Sequence, residues 1–198
     1  MELSIVIPCL NSEKTIVKTI DSIDNQLTFY NIQIIFSIDE HTTDNTIKVI
    51  RERMKKSLIP FIIVSSEGGN CAIVDNDGAN AATGDYIWFI DSDDWLVDNR
   101  FIIEKSMTLC TVHKLSALEF GFESEFPNKN TMTTWRHIYA AKYVHELPFS
   151  SMKVGSDSYF NLLLRTNEEF KKNMMVIKDV FYHYSWPNPN SAVGGKVL

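Results

Sequence analysis

The sequence is short of several features that would place it in common protein classes. It has only three cysteines, and an odd number without close pairs argues against a disulfide framework. It contains no internal repeat and no low-complexity linker, with six prolines and eight glycines in 198 residues. We therefore expect Cys9, Cys71 and Cys110 to be reduced packing residues in a cytoplasmic protein.

Long apolar runs and excess positive charge are also missing. The apolar stretch at residues 3–7 ends at Pro8 and follows no basic segment, so a signal peptide is not expected. No run approaches the ~20 apolar residues of a membrane span. With 19 basic and 25 acidic residues, the net charge of −6 gives no support for nonspecific nucleic-acid binding. We expect no transmembrane segment and a cytoplasmic location, at most peripheral to a membrane.

The first half of the chain alternates apolar strand patterns with amphipathic helix patterns. Four buried strands are predicted at residues 3–7, 32–38, 61–65 and 86–90. Three helices are predicted between these strands. The first is capped by Asn11 or Ser12 and turns Ile16, Ile20, Ile23 and Leu27 toward the core. The second is opened by Thr43-Asp44 and turns Ile47, Ile50 and Met54 toward the core, and the third covers residues 71–82. Continuously apolar strands separated by such helices predict an α/β protein with a mostly parallel sheet.

The second half is less regular. Asp98-Asn99 can cap a helix that carries Ile103, Met107 and Cys110. A half-buried strand is predicted at 118–122, with Glu119 facing outward, followed by a turn at 127–130. A helix opened by Ser156-Asp157 comes next, and its apolar positions are Tyr159, Phe160, Leu163, Leu164 and Phe170. The last predicted element is a strand at 176–184. We expect residues 1–198 to form one domain.

Acidic residues follow two of the predicted strands. Asp39 ends the second strand, and Asp91, Asp93 and Asp94 follow the fourth. Because parallel strands share one carboxyl edge, where ligands bind, these groups should lie close together. Three carboxylates in four residues repel one another, and a divalent cation such as Mn²⁺ or Mg²⁺ would relieve that repulsion. Asn11, taken alone, is better explained as a helix cap.

Eight segments resemble, in order, the motifs of family 2 glycosyltransferases with the GT-A fold. Residues 76–94 match an "N-x-G-x-x-x-A-T-G-x-Y-I-x-F-x-D-S-D-D" pattern. The others are residues 3–11, 34–44, 135–139, Phe149, 155–161, 182–184 and 188–191. The resemblance implies a GT-A fold in which residues 1–97 bind a nucleotide sugar and residues 98–198 face the acceptor.

The resemblance also implies roles for individual residues. The residues that would contact the nucleotide are Pro8, Leu10, Asn11, Asp39, Asn76 and Asp91. Among them, Asp39 would form a hydrogen bond with the base, which is usually uracil in this family. Metal ligation falls to Asp91 and Asp93, and His183 can approach the same metal, although an ordinary strand histidine explains it better. Asp157 matches the general base of inverting members; a plain helix cap is its alternative. Its place at a helix N-terminus should lower its pKa, so that desolvation by the acceptor would be needed.

The resemblance implies a metal-dependent transfer of a sugar, with inversion, from a nucleotide-diphosphate sugar to a hydroxyl acceptor. The donor is expected to be a UDP-sugar. The expected acceptor is a glycan or a lipid-linked precursor, with a protein side chain or a modified DNA base as alternatives, and a homodimer is possible. Four residues depart from the family pattern: Asp75 and Ser185 where arginine is common, His137 in place of lysine, and Ser156 in place of glutamate.

Two other classes of function compete with this interpretation. The missing arginines and glutamate suggest a non-catalytic module that binds nucleotide sugars without turning them over. A receiver or flavodoxin-like signalling domain would also place acids at strand ends. The chain is longer than such a domain needs, and no lysine follows a fifth strand.

Overall fold

The computed structural model describes residues 1–124, 133–150 and 156–185, which form one eight-stranded sheet with helices on both sides. The strands are β1 (Leu3–Cys9), β2 (Ile32–Asp39), β3 (Phe61–Ser66), β4 (Tyr86–Phe89), β5 (Trp95–Leu96), β6 (Ala117–Ser124), β7 (His137–Ala140) and β8 (Met174–Tyr184). The helices are α1 (Ile16–Asp24), α2 (Thr46–Met54), α3 (Cys71–Asn80), α4 (Ile102–His113), α5 (Ala141–Glu146), α6 (Ser156–Thr166) and α7 (Glu168–Lys172).

The sheet has the strand order β3-β2-β1-β4-β7-β6-β8-β5. Its first four strands are parallel to one another, with Ile5 opposite Ile34 on one side and Trp88 on the other. Strand β7 pairs antiparallel with both β4 and β6, and β6 pairs parallel with β8. The prediction of an α/β protein with a mostly parallel central sheet is therefore confirmed.

Side chains that alternate along the central strands build two separate cores, one on each face of the sheet. In β1, Ile5 and Ile7 belong to the core under α1, α2 and α4, whereas Val6 belongs to the core under α3, α5 and α6. In β4, Trp88 and Phe89 divide in the same way. Burial on both faces explains why these strands are apolar throughout.

The first helix starts later than the sequence predicted. Helix α1 begins at Ile16, after Thr15, so neither Asn11 nor Ser12 is its cap, and Leu27 lies beyond its end and is exposed. Asn11 has a positive φ of 51°, and its side-chain oxygen accepts the N–H groups of Thr43 and Asp44 at 2.9 and 3.3 Å. The Asn11 side chain therefore joins the loops after β1 and β2.

The second helix shows a similar delay. Helix α2 begins at Thr46 because the Asp44 carboxylate accepts the Thr46 N–H at 2.9 Å and the Glu13 N–H at 2.9 Å. These bonds hold the preceding loop outside the helix. Ile50 and Met54 are buried as predicted, but Ile47 is exposed, which corrects its assignment to the inner face.

The second half contains the larger corrections. Glu119, expected to face solvent, is buried on β6, because two arginines reach its carboxylate. Phe170 belongs to the separate helix α7, since α6 ends at Thr166. The predicted turn at 127–130 and the motif at 188–191 lie outside the described residues. The sequence did not predict β5, β7 or α5.

The packing role expected of the three cysteines is confirmed for two of them and is wrong for Cys71. All three are unpaired; Cys9 and Cys110 are buried, whereas Cys71 is exposed at the start of α3. Burial raises the pKa of the Cys110 thiol to about 12. Within the described part of the chain, no helix is long and apolar enough to cross a bilayer.

Candidate active site

Three acidic residues converge directly after β4, at the carboxyl edge of the parallel strands. Asp91, Asp93 and Asp94 each offer a carboxylate oxygen, and these oxygens lie within 4.8 Å of one another. We refer to these three residues as the acidic cluster. Hard oxygen ligands at this spacing suit a divalent cation such as Mn²⁺ or Mg²⁺.

The electrostatics of the acidic cluster also fit a cation. Burial, followed by the charges of Asp94, Asp93, Asp75 and Asp157, raises the pKa of Asp91 well above its ordinary value. Burial and the Asp93 charge raise the pKa of Asp94, against hydrogen bonds from Ser185 and Tyr182. A positive ion among these oxygens would reverse the repulsion and favour the ionised carboxylates.

Asp94 is anchored by the end of β8. The Tyr182 hydroxyl donates to its Oδ2 at 2.7 Å, and the Ser185 N–H donates to its Oδ1 at 2.7 Å. The same hydroxyl accepts the Asp91 N–H at 3.1 Å. Tyr182 is thus a part of the site that we did not assign from the sequence, and Asp94 was grouped there with Asp91 and Asp93 but given no ligand role of its own. The Tyr-His-Tyr segment at 182–184 was a signal that pointed to Tyr182.

His183 lies apart from the acidic cluster. Its ring stacks on Trp95 with centroids 3.9 Å apart, and its Nδ1 lies 3.0 Å from Glu123 Oε1. Its Nε2 is buried, with no hydrogen-bond partner among the described residues. The ligand atoms that gather within 4.8 Å of one another come from Asp91, Asp93 and Asp94 and do not include His183. A metal-ligand role for His183 stays a prediction.

Asp39 is held in place by the backbone at the end of β2. Its Oδ1 accepts the His41 N–H at 2.8 Å, and its Oδ2 accepts the Gly69 N–H at 3.0 Å. Burial raises the pKa of Asp39, but the bonds from His41 and Gly69 outweigh it and hold the pKa below its ordinary value. Gly68 has φ +68°, and a Cβ there would collide with the Asp39 carboxylate, so only glycine fits.

The remaining predicted nucleotide residues have different environments. Leu10 is 44% exposed at the end of β1, beside Asn11, and Pro8 is half-buried. Asn76 uses its carboxamide to bridge α3 to another segment: Oδ1 accepts the Phe149 N–H at 2.8 Å, and Nδ2 donates to the Phe149 oxygen at 3.0 Å. The geometry of Asn76 is therefore that of a structural clamp, and its nucleotide contact stays a prediction.

Asp157 lies in the first turn of α6 and shares a site with the acidic cluster. Its charge raises the pKa of both Asp91 and Asp75. Burial raises the pKa of Asp157 itself, against backbone N–H groups that include those of Ser158 and Thr134. We expected the helix terminus to lower this pKa, and the structure corrects that expectation, because burial is the larger effect. The fold itself therefore desolvates this carboxyl.

A buried ion network fixes the other end of α6. Arg165 Nη2 lies 2.8 Å from Glu119 Oε2, and Arg136 Nη2 lies 3.0 Å from Glu119 Oε1. His137 is buried beside them, with Nε2 at 3.4 Å from Glu119 and Nδ1 at 2.7 Å from the Thr133 oxygen. Burial lowers the pKa of His137, so the lasting positive charges beside Glu119 are the two arginines.

One further acid, Asp75, lies on α3. It is 9% exposed, and no hydrogen bond or ion pair reaches its carboxyl from the described residues. Burial and the Asp157 charge raise the pKa of Asp75 to about 8. Cys71, one helical turn earlier on the same face, contacts Ser156, with Sγ and Oγ 3.8 Å apart. The Asp75 face of α3 therefore packs against the first turn of α6.

Comparisons with known proteins agree with this geometry. Residues 4–102, half of the chain, match the model of "Glycosyl transferase family 2". A poly(ribitol-phosphate) β-glucosyltransferase of Bacillus spizizenii is 34% identical over 97 residues, which are 48% of this chain and 15% of that protein. The chain spans less than a third of the length of the first curated relatives it matches, 27% and 15%.

Solved structures show the same fold. Staphylococcus aureus TarS 1-349 in complex with UDP-GlcNAc superimposes with a TM-score of 0.83 at 18% identity, over 100% of this chain and 62% of that one. Glucosyl-3-phosphoglycerate synthase of Mycobacterium tuberculosis, in complex with Mn²⁺, UDP-glucose and glycerol 3-phosphate, has a TM-score of 0.68 at 18% identity. This second alignment covers 94% of this chain and 73% of the mycobacterial one. These likenesses establish the GT-A fold.

Proposed function

Because the chain belongs to glycosyl transferase family 2, we propose that it transfers a hexose, with inversion, from a UDP-sugar to a hydroxyl acceptor. Transfer of a sugar from a nucleotide sugar follows from the family itself. The nucleotide, the metal and the stereochemistry are the further steps of this proposal. One observation carries it: the start of α6 contacts α3 through Ser156 and Cys71, and from there the charge of Asp157 acts on Asp91 of the acidic cluster.

The acidic cluster would hold Mn²⁺ or Mg²⁺ through Asp91, Asp93 and Asp94. The bound ion supplies a Lewis acid that neutralises the charge growing on the leaving diphosphate. Tyr182 contributes by fixing two parts of the cluster at once, the Asp94 carboxylate and the Asp91 backbone. With these groups held in advance, the cluster needs little rearrangement when it binds an ion.

Asp157 is the proposed general base. Its carboxylate takes the proton of the acceptor hydroxyl while the hydroxyl oxygen forms a bond to C1 of the sugar. The bond from C1 to the β-phosphate oxygen breaks, and its electron pair leaves with the diphosphate. Attack opposite the leaving group inverts C1. The raised pKa of Asp157 makes it a stronger base than an exposed aspartate.

Asp39 and Leu10 are proposed to hold the nucleotide base. The Asp39 carboxylate stays ionised and is fixed by His41 and Gly69, so it can accept a hydrogen bond from an N–H of uracil. The exposed Leu10 offers an apolar surface next to Asn11, at the end of the neighbouring strand. Both groups lie on the same sheet edge as the acidic cluster.

The proposed acceptor is a hydroxyl of a glycan or of a lipid-linked precursor. Relatives whose names specify such acceptors support this class, among them the poly(ribitol-phosphate) enzyme of B. spizizenii.

The test uses UDP-glucose and UDP-GlcNAc with Mn²⁺, with and without a chelator. We expect hydrolysis of a UDP-sugar that depends on the metal, and calorimetric binding of UDP that weakens when the metal is removed. UDP binding without hydrolysis of either sugar, and without transfer to a panel of glycan acceptors, would instead support the non-catalytic module. Unchanged turnover with the chelator present would exclude the metal from the mechanism.

A further inference from the structure

We propose that the carboxyl group of Asp75 binds a hydroxyl of the transferred sugar and so helps to select the donor. This inference rests on the proposed function, because it places a sugar between the acidic cluster and Asp157. It adds a specificity residue on α3, a helix that otherwise contributes only Asn76 to the sequence-predicted site.

The first argument is the lack of a partner. Asp75 is more than nine-tenths buried, yet its carboxyl receives no hydrogen bond from the described residues. Its neighbours on α3 are satisfied: Asn76 exchanges two bonds with Phe149, and Asp77 accepts the Ser66 hydroxyl at 2.6 Å. The Asp75 oxygens are not among the fully enclosed side-chain atoms that lack a partner, so this mostly buried carboxyl borders space that a ligand can enter.

The second argument is position. The charge of Asp75 acts on Asp91 of the acidic cluster, and the charge of Asp157 acts on Asp75. The contact of Cys71 with Ser156 confirms that this face of α3 meets the start of α6. The diphosphate would lie at the cluster and the acceptor oxygen at Asp157. The sugar ring, which connects them, would therefore pass the Asp75 carboxyl.

The third argument is charge. Three titratable groups face Asp75: Cys71 on its own helix, Asp157 on α6 and Asp91 after β4. None is a cation, and burial together with the Asp157 charge opposes the ionisation of Asp75. A neutral carboxyl both donates and accepts a hydrogen bond, which matches a sugar hydroxyl and does not repel a diphosphate. An arginine at this position would instead attract the phosphates.

The experiment compares Asp75→Leu and Asp75→Asn with Asp77→Asn, a control on the same helix whose carboxylate already has a partner. In the ligand-free protein, we expect Asp75→Leu to raise Tm by about 2–4 °C, because it removes an unpartnered buried acid. Asp77→Asn should leave Tm unchanged or lower it. This measurement needs no catalytic activity, so it stands even if the proposed function fails.

The second measurement is donor selection. We expect Asp75→Leu to raise KM for UDP-glucose or UDP-GlcNAc hydrolysis about 3- to 10-fold, with UDP affinity unchanged, as for one lost hydrogen bond. Asp75→Asn should restore part of the loss. A lower Tm in Asp75→Leu, or unchanged KM for both sugars in an active enzyme, overturns the inference. Absence of hydrolysis in the wild type would instead count against the proposed function.

Discussion

Two buried acidic regions lie on the same sheet and are balanced in opposite ways. For Glu119 on β6, a hydrogen bond and the charge of His137, followed by the charges of Arg136 and Arg165, overcome the effect of burial and lower the pKa to about 2. For Asp91, burial and the surrounding carboxylates raise the pKa. The comparison shows which acid the fold neutralises by itself and which one has no cation beside it among the described residues.

The difference separates an acid that the chain itself compensates from a proposed ion site. Removing one partner of a buried ion pair destabilises the folded state, because the other charge is left uncompensated. A cluster of like charges with raised pKa values is a candidate functional site. The predictions below test whether this division holds.

The largest effect is expected at the acidic cluster. Asp93→Ala should reduce Mn²⁺-dependent turnover of a UDP-sugar by about a thousandfold or more, because a ligand for the metal is lost. Asp85→Ala is the matched control, an exposed aspartate at the opposite end of β4. Steady-state kinetics with added Mn²⁺ would measure both. An Asp93→Ala enzyme with wild-type activity would show that the cluster is structural, as Glu119 is.

The next largest effect is expected at Asp157. Asp157→Asn should lower kcat for transfer about 10²- to 10³-fold while UDP binding stays unchanged, because only proton removal is lost. The wild-type acid limb of kcat/KM should lie at a higher pH than for an ordinary aspartate, since burial raises this pKa. Glu168→Gln, an exposed acid in the first turn of α7, is the control. Equal kcat values in the two variants would rule Asp157 out as the base.

The third effect concerns stability rather than turnover. Glu119→Gln should lower the free energy of unfolding by about 2 kcal/mol, because two arginines lose a charged partner. Since the folded pKa lies below the ordinary value of 4.5, this contribution is complete above pH 4.5 and is lost as pH falls toward about 2. Urea unfolding at pH 7 and pH 3 would show a smaller gap between wild type and variant at the lower pH. Glu123→Gln, more exposed on the same strand, should change little.

The smallest effect is expected at His183, which stacks on Trp95 outside the acidic cluster. His183→Ala should weaken Mn²⁺ binding by less than about threefold, since its ring is not among the clustered ligand atoms and contributes only indirectly. Exposed His113→Ala at the end of α4 is the control. Calorimetry that found a loss of about tenfold or more would make His183 a metal ligand and would bring β8 into the site directly.

Parts of this fold were predictable because each local pattern has one physical explanation. The strands from β1 to β4 are apolar throughout, and only a sheet covered on both faces buries such strands. The exact starts of α1 and α2 were not predictable, because Asn11 and Asp44 bond to segments about 30 residues away. The orientation of Glu119 was predicted wrongly for the same reason. The alternation of apolar and polar residues along β6 predicted an outward side chain. The arginines that compensate its charge are distant in sequence: Arg136 lies just before β7, and Arg165 lies on α6.

The candidate site divides in the same way. Asp91 and Asp93 stand out in sequence because their carboxylates are crowded within a few residues. The place of Asp94 in the cluster depends on Tyr182 and Ser185, about 90 residues later, and this pairing has no local pattern. The isolation of Asp75 is visible only in three dimensions, since the sequence does not show which donors are absent.

Helix α6 carries Asp157 at one end and Arg165 at the other, eight residues or about 12 Å apart along a rigid axis. For protein engineering, this makes α6 and Glu119 a single transplantable unit. A graft that exchanged the proposed acceptor side but cut inside residues 156–166, or left Glu119 behind, would displace Asp157, the proposed base. Redesign of the proposed acceptor range should therefore begin outside this unit.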